Sequence, residues 1–347
     1  MADSKFRAGI VGLGFIGGAD QVSGDALGQK VEDLDGTHVA AFVNHPRIDL
    51  VAGSSRDEGR RERFEKRTGV RTYADWAKML ESESLDIVGV ATYAPVHSEI
   101  VIACVEHGAK AIYCEKPIAT LVSDAERMHK ACVDAGALLV INHNMRFHLN
   151  CRRLRDLVLG GGLGELTSAS LQWGSGRLGN VGTHMIDAIQ MLTGRPVEAV
   201  SGHLDLAGKP DCRGEAFTDP GGWGMLRLSG GLICTVDAAD YATVPPIICL
   251  NGKEGRARLS AKEVSLDYSD GRSEHWPVDS DGFSSMDRAA GEIVEWLDSG
   301  DGFPYDAAEA VRTLEAIVGF HASYARNAAW TELPLAGADR DIEVHSG

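Results

Sequence analysis

Apolar positions in the first 147 residues come in short unbroken runs separated by longer stretches of mixed character. The runs are Arg7–Leu13 (RAGIVGL), Ile48–Ser54 (IDLVAGS), Leu85–Thr92 (LDIVGVAT), Ala111–Cys114 and Ala137–Asn142. Strands this apolar are buried on both faces, as in a parallel sheet. The stretches between them carry helical periodicity over Thr37–Asn44, Asp57–Thr68, Tyr73–Glu81, His97–His107 and Ser123–Ala135. Ser123-Asp124-Ala125-Glu126 reads as a capping box that opens the last of these. Alternation of this kind predicts right-handed βαβ units and a doubly wound α/β fold. Ala19–Gly36, polar and rich in Gly and Asp, interrupts the rhythm and reads as an insertion before the second strand.

The pattern then changes. After a helix predicted over Cys151–Leu159 and the cluster Gly160-Gly161-Gly162, strand follows strand. Leu166–Trp173, Val197–Leu206, Gly224–Leu228, Leu232–Ala238, Ile247–Leu250, Ala257–Ser260, Val264–Tyr268 and Ser273–Pro277 are separated by Gly, Asn and Asp turn signals. Helices are predicted over Asn180–Thr193, Ser285–Ser299 and Tyr305–Asn327. The expected organisation is a doubly wound parallel sheet over 1–147. An α+β domain with a predominantly antiparallel sheet follows over 148–347.

Composition agrees with two domains. The chain has 347 residues, 44% hydrophobic and 24% charged, enough for two cores. Its formal net charge of −16 argues against nucleic acid or an anionic membrane as a partner. No run of about 18 apolar residues could span a bilayer, and the polar start, Met1–Arg7, lacks a signal-peptide pattern. The seven cysteines are scattered and form no C-x-x-C pair. That argues against a disulfide framework or a zinc ribbon and makes the cytoplasm the expected location. No metal site is expected.

Three motifs carry chemistry. The first is Gly12-Leu13-Gly14-Phe15-Ile16-Gly17, directly after the first strand. There a Gly-rich turn lets backbone approach a pyrophosphate, and a following helix N-terminus would favour its charge. This makes a Rossmann-type dinucleotide site the expectation. The acid that holds a ribose 2′-hydroxyl normally ends the second strand. Here that strand ends Gly53-Ser54-Ser55-Arg56. Ser54, Ser55 and Arg56 suit a 2′-phosphate and tilt the reading toward NADP, while Asp57 keeps NAD open. The second motif is Glu115-Lys116-Pro117, at the end of a parallel strand, where a lysine can hold a substrate oxygen. The third is Asn180-Val181-Gly182-Thr183-His184-Met185-Ile186-Asp187. On a helix Asn180 and His184 share a face, and His184 can meet Asp187. A histidine suits proton transfer to or from an alcohol.

Taken in order, the strand with G-x-G-x-x-G, Thr92 and His97, Glu115-Lys116-Pro117, Asn142 with Arg146-Phe147, and N-x-x-x-H-x-x-D resemble the glucose–fructose oxidoreductase/inositol dehydrogenase (Gfo/Idh/MocA) family. The resemblance covers nearly the whole chain. It implies a Rossmann domain, then an antiparallel-sheet domain for substrate binding and oligomerisation, with nicotinamide between them. Lys116 and His184 fall on the family's catalytic Lys and His, and Pro117 shapes the cofactor side of its loop. Thr92, His97 and Glu115 join the cofactor set. Arg146, Arg177, Asn180 and Asp187 are expected to face substrate, the two arginines as receivers of a sugar acid or phosphate. Many members carry Asp where Asn180 stands. Asn cannot take a proton, so acid–base work falls on His184 or Lys116, and some sugar 3-dehydrogenases carry Asn there. Thr92-Tyr93-Ala94-Pro95 replaces the family's Thr-Pro-Asn, and Gly174-Ser175-Gly176-Arg177 is shorter than the usual substrate loop.

The expected activity is NAD(P)-dependent hydride transfer at a hydroxyl or keto carbon of a sugar, sugar derivative or cyclitol, with C3 favoured. The partners are a small carbohydrate and copies of the chain itself, as a homodimer or homotetramer. Two alternatives remain open: a redox-neutral glycoside hydrolase that oxidises its sugar transiently, and a non-catalytic nicotinamide sensor. Trp173, Arg177, Trp223 and Tyr241 are candidate pocket residues, with core packing the competing role. Asp279-Ser280-Asp281-Gly282 reads as a turn rather than a calcium loop.

Overall fold

The computed structural model describes residues 5–174, 177–206, 219–238, 244–278, 281–300 and 302–345. Ser175, Gly176, Tyr241, Asp279 and Ser280, each singled out above, lie outside these, as does one of the seven cysteines, Cys212. The chain divides into two units, 1–119 with 124–142 and 282–308, and 120–123 with 143–281 and 309–347. The single cut expected at 147/148 therefore differs from the packing. The segment Gly282–Ala308, assigned from sequence to the second domain, packs with the first.

The first unit holds a six-stranded sheet: β1 (Phe6–Val11), β2 (Ile48–Ser54), β3 (Arg71–Tyr73), β4 (Ile87–Val90), β5 (Ala111–Cys114) and β6 (Leu138–Ile141). Their order is β3-β2-β1-β4-β5-β6, and every pair is parallel. Every residue of β4 and β5 is buried, which is why these strands read as unbroken apolar runs. Strand order reverses between β1 and β4, so the carboxyl ends there form the ligand crevice of an open α/β sheet. The edge strand β3 is missing from the sequence reading, because three polar residues carry no periodicity. The helix expected from Tyr73 starts at Trp76 instead, capped by Asp75. Thr37 and Asp57 cap their helices. The helix expected to open at Ser123 begins one residue earlier, at Val122. A capping box does form at Ser284, with Asp287.

The second unit holds nine strands: β7 (Leu166–Gln172), β8 (Val197–Asp205), β9 (Gly221–Leu228), β10 (Leu232–Asp237), β11 (Ile247–Gly252), β12 (Gly255–Ser260), β13 (Glu263–Tyr268), β14 (Ser273–Trp276) and β15 (Thr331–Glu332). Their order is β14-β13-β12-β11-β7-β10-β9-β8-β15. Only the central pair, β7 with β10, is parallel, so the sheet is mixed and mostly antiparallel. Alternation shows the half-buried character: Ala257 and Leu259 of β12 are buried, Arg256 and Arg258 exposed. The helix Ala308–Ala325 lies on the buried face. A Cβ on Gly202 of β8 would stand 2.2 Å from Phe320, so glycine there lets helix and sheet close together. On the other face Trp223 and Met225 of β9 are exposed.

An unpaired sheet edge must be covered when buried. In the first unit Tyr305 does this for β6. Its hydroxyl donates to the Ile141 carbonyl at 2.6 Å and accepts the Ile141 N–H at 2.8 Å. Tyr305→Phe leaves two buried backbone groups without partners and is expected to destabilise the protein by about 2 kcal/mol. Chemical denaturation of the two proteins side by side checks this; equal midpoints would show that water replaces the hydroxyl.

Candidate active site

The phosphate turn is shaped by its own backbone. Gly12 has φ +99, and a Cβ there would stand 2.4 Å from the Ala91 carbonyl oxygen. A Cβ on Gly17 would stand 1.9 Å from the Gly12 oxygen. Both are therefore glycine for internal reasons, the turn and the close packing behind it. Gly14 differs: its Cβ would meet nothing nearer than the Arg60 guanidinium, at 3.8 Å. Protein packing leaves the space over Gly14 open, as a pyrophosphate cradle requires. The helix after the turn is only Phe15–Gly18. The expected macrodipole contribution is thus small, and the loop N–H groups remain as donors. Phe15 is buried and packs toward Gly24 of the insertion, so any contact it makes with a ligand is through its backbone. Ile16 is half-buried.

At the end of β2, Ser54 is buried and its carbonyl accepts the Gly12 N–H at 2.8 Å. Ser55 and Arg56 are the accessible part of the motif, with Arg56 Nη2 3.4 Å from the Tyr93 hydroxyl. Asp57 accepts the Arg60 N–H at 2.7 Å as helix cap. That is the ordinary helix-start role, and it engages the one acid that kept a ribose diol open.

Two loops at the carboxyl ends of β4 and β5 are tied together by His97. Its Nδ1 lies 3.0 Å from the Pro117 carbonyl and its Nε2 3.1 Å from the Thr92 carbonyl. The ring is fully buried, and burial lowers its pKa. Both ring nitrogens of His97 thus lie at hydrogen-bond distance from loop carbonyls, which places the ring behind the two loops. Glu115 is likewise held from inside. Its carboxylate accepts from Asn142 Nδ2 at 2.8 Å and lies 3.1 Å from His38 Nε2. Asn142 accepts in turn from the Tyr113 hydroxyl at 2.7 Å. Burial pushes the Glu115 pKa up, but His38, Asn142 and the neighbouring Lys116 outweigh it and hold it below the ordinary value. Lys116 is half-buried and precedes a cis bond to Pro117. Thr92 Oγ1 is buried with no hydrogen-bond partner among the described residues.

In the second unit, the helix Gly182–Thr193 starts two residues later than expected. Asn180 lies in the turn before it, so the same-face argument for Asn180 and His184 does not hold. The turn is held by Asp219, a residue the sequence reading missed. Its carboxylate accepts the Gly179 and Asn180 N–H groups, both at 2.7 Å. His184 sits in the first helical turn, half-buried, its ring centroid 5.9 Å from that of His143 in an edge-on contact. His143 is buried and was also missed. Its Nε2 lies 3.0 Å from Thr183 Oγ1. Its Nδ1 is 3.0 Å from Asp187 Oδ1, an ion-pair distance too far off-axis for a hydrogen bond.

Asp187 and Arg146, both expected to face substrate, face each other. Two guanidinium bonds of 2.8 and 2.7 Å join them, and Arg146 also reaches Glu309 at 2.8 Å. Asp187 is fully buried and Arg146 nearly so. Each therefore has its polar partners inside the protein rather than on an open surface. Trp173 is likewise core, its Nε1 donating to the Arg177 carbonyl. Arg177 is half-buried. Among the described residues no cluster of His, Cys, Asp or Glu is arranged to hold a metal, and no helix is long and apolar enough to cross a membrane.

The chain matches known proteins over both units. Residues 6–143 match the model of an oxidoreductase family with an NAD-binding Rossmann fold, and residues 151–258 match the GFO/IDH/MocA C-terminal domain. The chain belongs to the Gfo/Idh/MocA oxidoreductase family. Levoglucosan dehydrogenase of Pseudarthrobacter phenanthrenivorans is 25% identical over 69% of this chain and 68% of its own length. Inositol 2-dehydrogenase 3 of Saccharopolyspora erythraea is 31% identical, over 46% of this chain and 42% of its own length. A solved levoglucosan dehydrogenase in complex with NADH and L-sorbose shares the fold, with TM-score 0.77 at 19% identity over 96% of this chain and all of that one.

Burial pushes the Asp187 pKa up, but Arg146 and His143 outweigh it and bring it well below the ordinary carboxylate range. Its stabilisation is complete above the unfolded value of about 3.9 and is lost as pH falls toward the native one. Asp187→Asn leaves the buried guanidinium with Glu309 as its one carboxylate partner and is expected to cost about 2–3 kcal/mol near neutrality. The deficit should shrink below about pH 4. Urea melts of both proteins across pH decide it, and a deficit that does not change with pH would count against an ionised Asp187.

Proposed function

We propose that the protein is an NAD(P)-dependent dehydrogenase or reductase acting on a hydroxyl or keto carbon of a sugar, sugar derivative or cyclitol. The observation that carries this is the open space over Gly14, framed by two glycines that packing alone demands. The buried, unpartnered Thr92 Oγ1 supports it from the neighbouring loop. Gly12 to Gly17, Ser55, Arg56 and the Thr92 and Pro117 loops would hold the cofactor. Bound nicotinamide supplies a two-electron hydride acceptor or donor.

The chain's own residues do the rest. His184 takes the hydroxyl proton on oxidation and returns it on reduction. Lys116 hydrogen-bonds the same oxygen and stabilises the negative charge that develops on it. Asn180 orients substrate, and oxidation at C3 is the favoured regiochemistry on the strength of Asn at that position. With Arg146 neutralised by two carboxylates, Arg177 is the one of the two arginines that would receive a sugar acid or phosphate. NADP is favoured over NAD because Asp57 caps a helix while Arg56 stays accessible. The apolar side chains Trp223 and Met225 on the open sheet face favour self-association as a homodimer or homotetramer.

Substrate-dependent change in absorbance at 340 nm across a panel of sugars and cyclitols tests the reading. Lys116→Ala and His184→Ala should each lower turnover by about 10²–10⁴-fold, with dinucleotide binding nearly unchanged. Full turnover by His184→Ala would overturn the proton-transfer assignment. Glycoside cleavage without accumulation of reduced cofactor would instead indicate the redox-neutral hydrolase.

A further inference from the structure

The insertion Ala19–Gly36 has no part in the mechanism above, yet it contains one of the most buried carboxylates of the first unit. Asp20 is 3% exposed. It accepts from Arg63 at 2.7 and 2.9 Å and from the Ser23 hydroxyl at 2.6 Å and backbone N–H at 3.2 Å. Ser23 passes the constraint on. With its single proton directed to Asp20, Ser23 Oγ accepts from Arg60 Nε at 3.0 Å. Arg60 Nε is itself 4.0 Å from Asp20 Oδ2.

The consequence is a guanidinium held by one edge. Only Nε of the Arg60 side chain is engaged, and among the described residues its two Nη groups make no hydrogen bond. Nη1 lies 3.8 Å from the place a Cβ on Gly14 would occupy. Nη1 thus borders the open space over the phosphate turn, on a planar guanidinium fork of the kind that matches phosphate oxygens. The hold on Nε removes rotamer freedom before any ligand arrives.

We propose that Arg60 contacts a phosphate group of the dinucleotide, that Asp20 and Ser23 are its positioning residues, and that the insertion is therefore part of the cofactor site. This rests on the nicotinamide reading above and deepens it. The phosphate is either the pyrophosphate or a ribose 2′-phosphate, since Arg60 lies between the glycine turn and the end of β2.

The test is equilibrium titration of the full-length protein with NAD and NADP, followed by calorimetry, for the wild type and the variants Arg60→Ala, Arg60→Lys and Ser23→Ala. Thermal melts monitor folding. Arg60→Ala should weaken binding about tenfold or more, with little recovery in Arg60→Lys because a point charge cannot replace a fork. Ser23→Ala, which leaves the Asp20–Arg63 pair in place, should weaken binding about threefold or more through the looser guanidinium. Equal losses for the two dinucleotides identify the pyrophosphate, and a loss confined to NADP identifies the 2′-phosphate; both support the proposal. Arg60→Ala binding both dinucleotides as the wild type does would overturn it. Loss in Arg60→Ala with none in Ser23→Ala would overturn the positioning role. A wild-type protein that binds neither dinucleotide would instead overturn the nicotinamide reading itself.

Discussion

A carboxylate taken out of water has to find cations or hydrogen-bond donors inside the protein, or lose its charge. This chain meets that constraint three times, each time directly behind a segment with chemistry to do. Glu115, held by His38 and Asn142, precedes Lys116. Asp187, held by Arg146 and His143, lies one helical turn from His184. Asp20, held by Arg63 and Ser23, stands behind the guanidinium that borders the phosphate turn. In each case the buried charge fixes its partners in direction as well as distance, because hydrogen bonds to ions are strong and oriented. The half-buried side chains next to them, Lys116 and His184, are then carried on backbone that cannot drift.

The same constraint revises the electrostatics of the site. Arg146 belongs to a buried cluster with Asp187 and Glu309 and projects no free positive charge. Lys116, Arg177 and the arginines after β2 are the described cationic groups among the candidate residues that are not buried, on a chain whose net charge is −16.

Much of the fold was legible because strand burial writes itself into composition. Strands β2 and β5 begin and end where the apolar runs do. The glycine turn was legible because Gly12 and Gly17 make backbone contacts that no other residue type tolerates. Less legible were elements set by context. The edge strand β3 has no apolar run, and Gly282–Ala308 packs with the first unit through polar contacts such as Ser285 with Asp35. Nothing local in the sequence encodes such pairings.

By itself the sequence determined which residue types stand at which strand ends: glycines after β1, Ser-Arg after β2, Glu-Lys-Pro after β5, and a histidine near a helix start. Those follow from local pattern, since burial, turn geometry and helix spacing act over a few residues. Only the tertiary structure decided which of these side chains are free to act. Arg146, Asp187, Glu115 and His97 all looked like ligands and are all committed to partners inside the protein. Arg60, an unremarked residue on a charged helix, is aimed at the phosphate turn by a carboxylate 40 positions earlier. The physical reason is that availability depends on who already holds a polar group. That is settled by contacts between residues far apart in sequence.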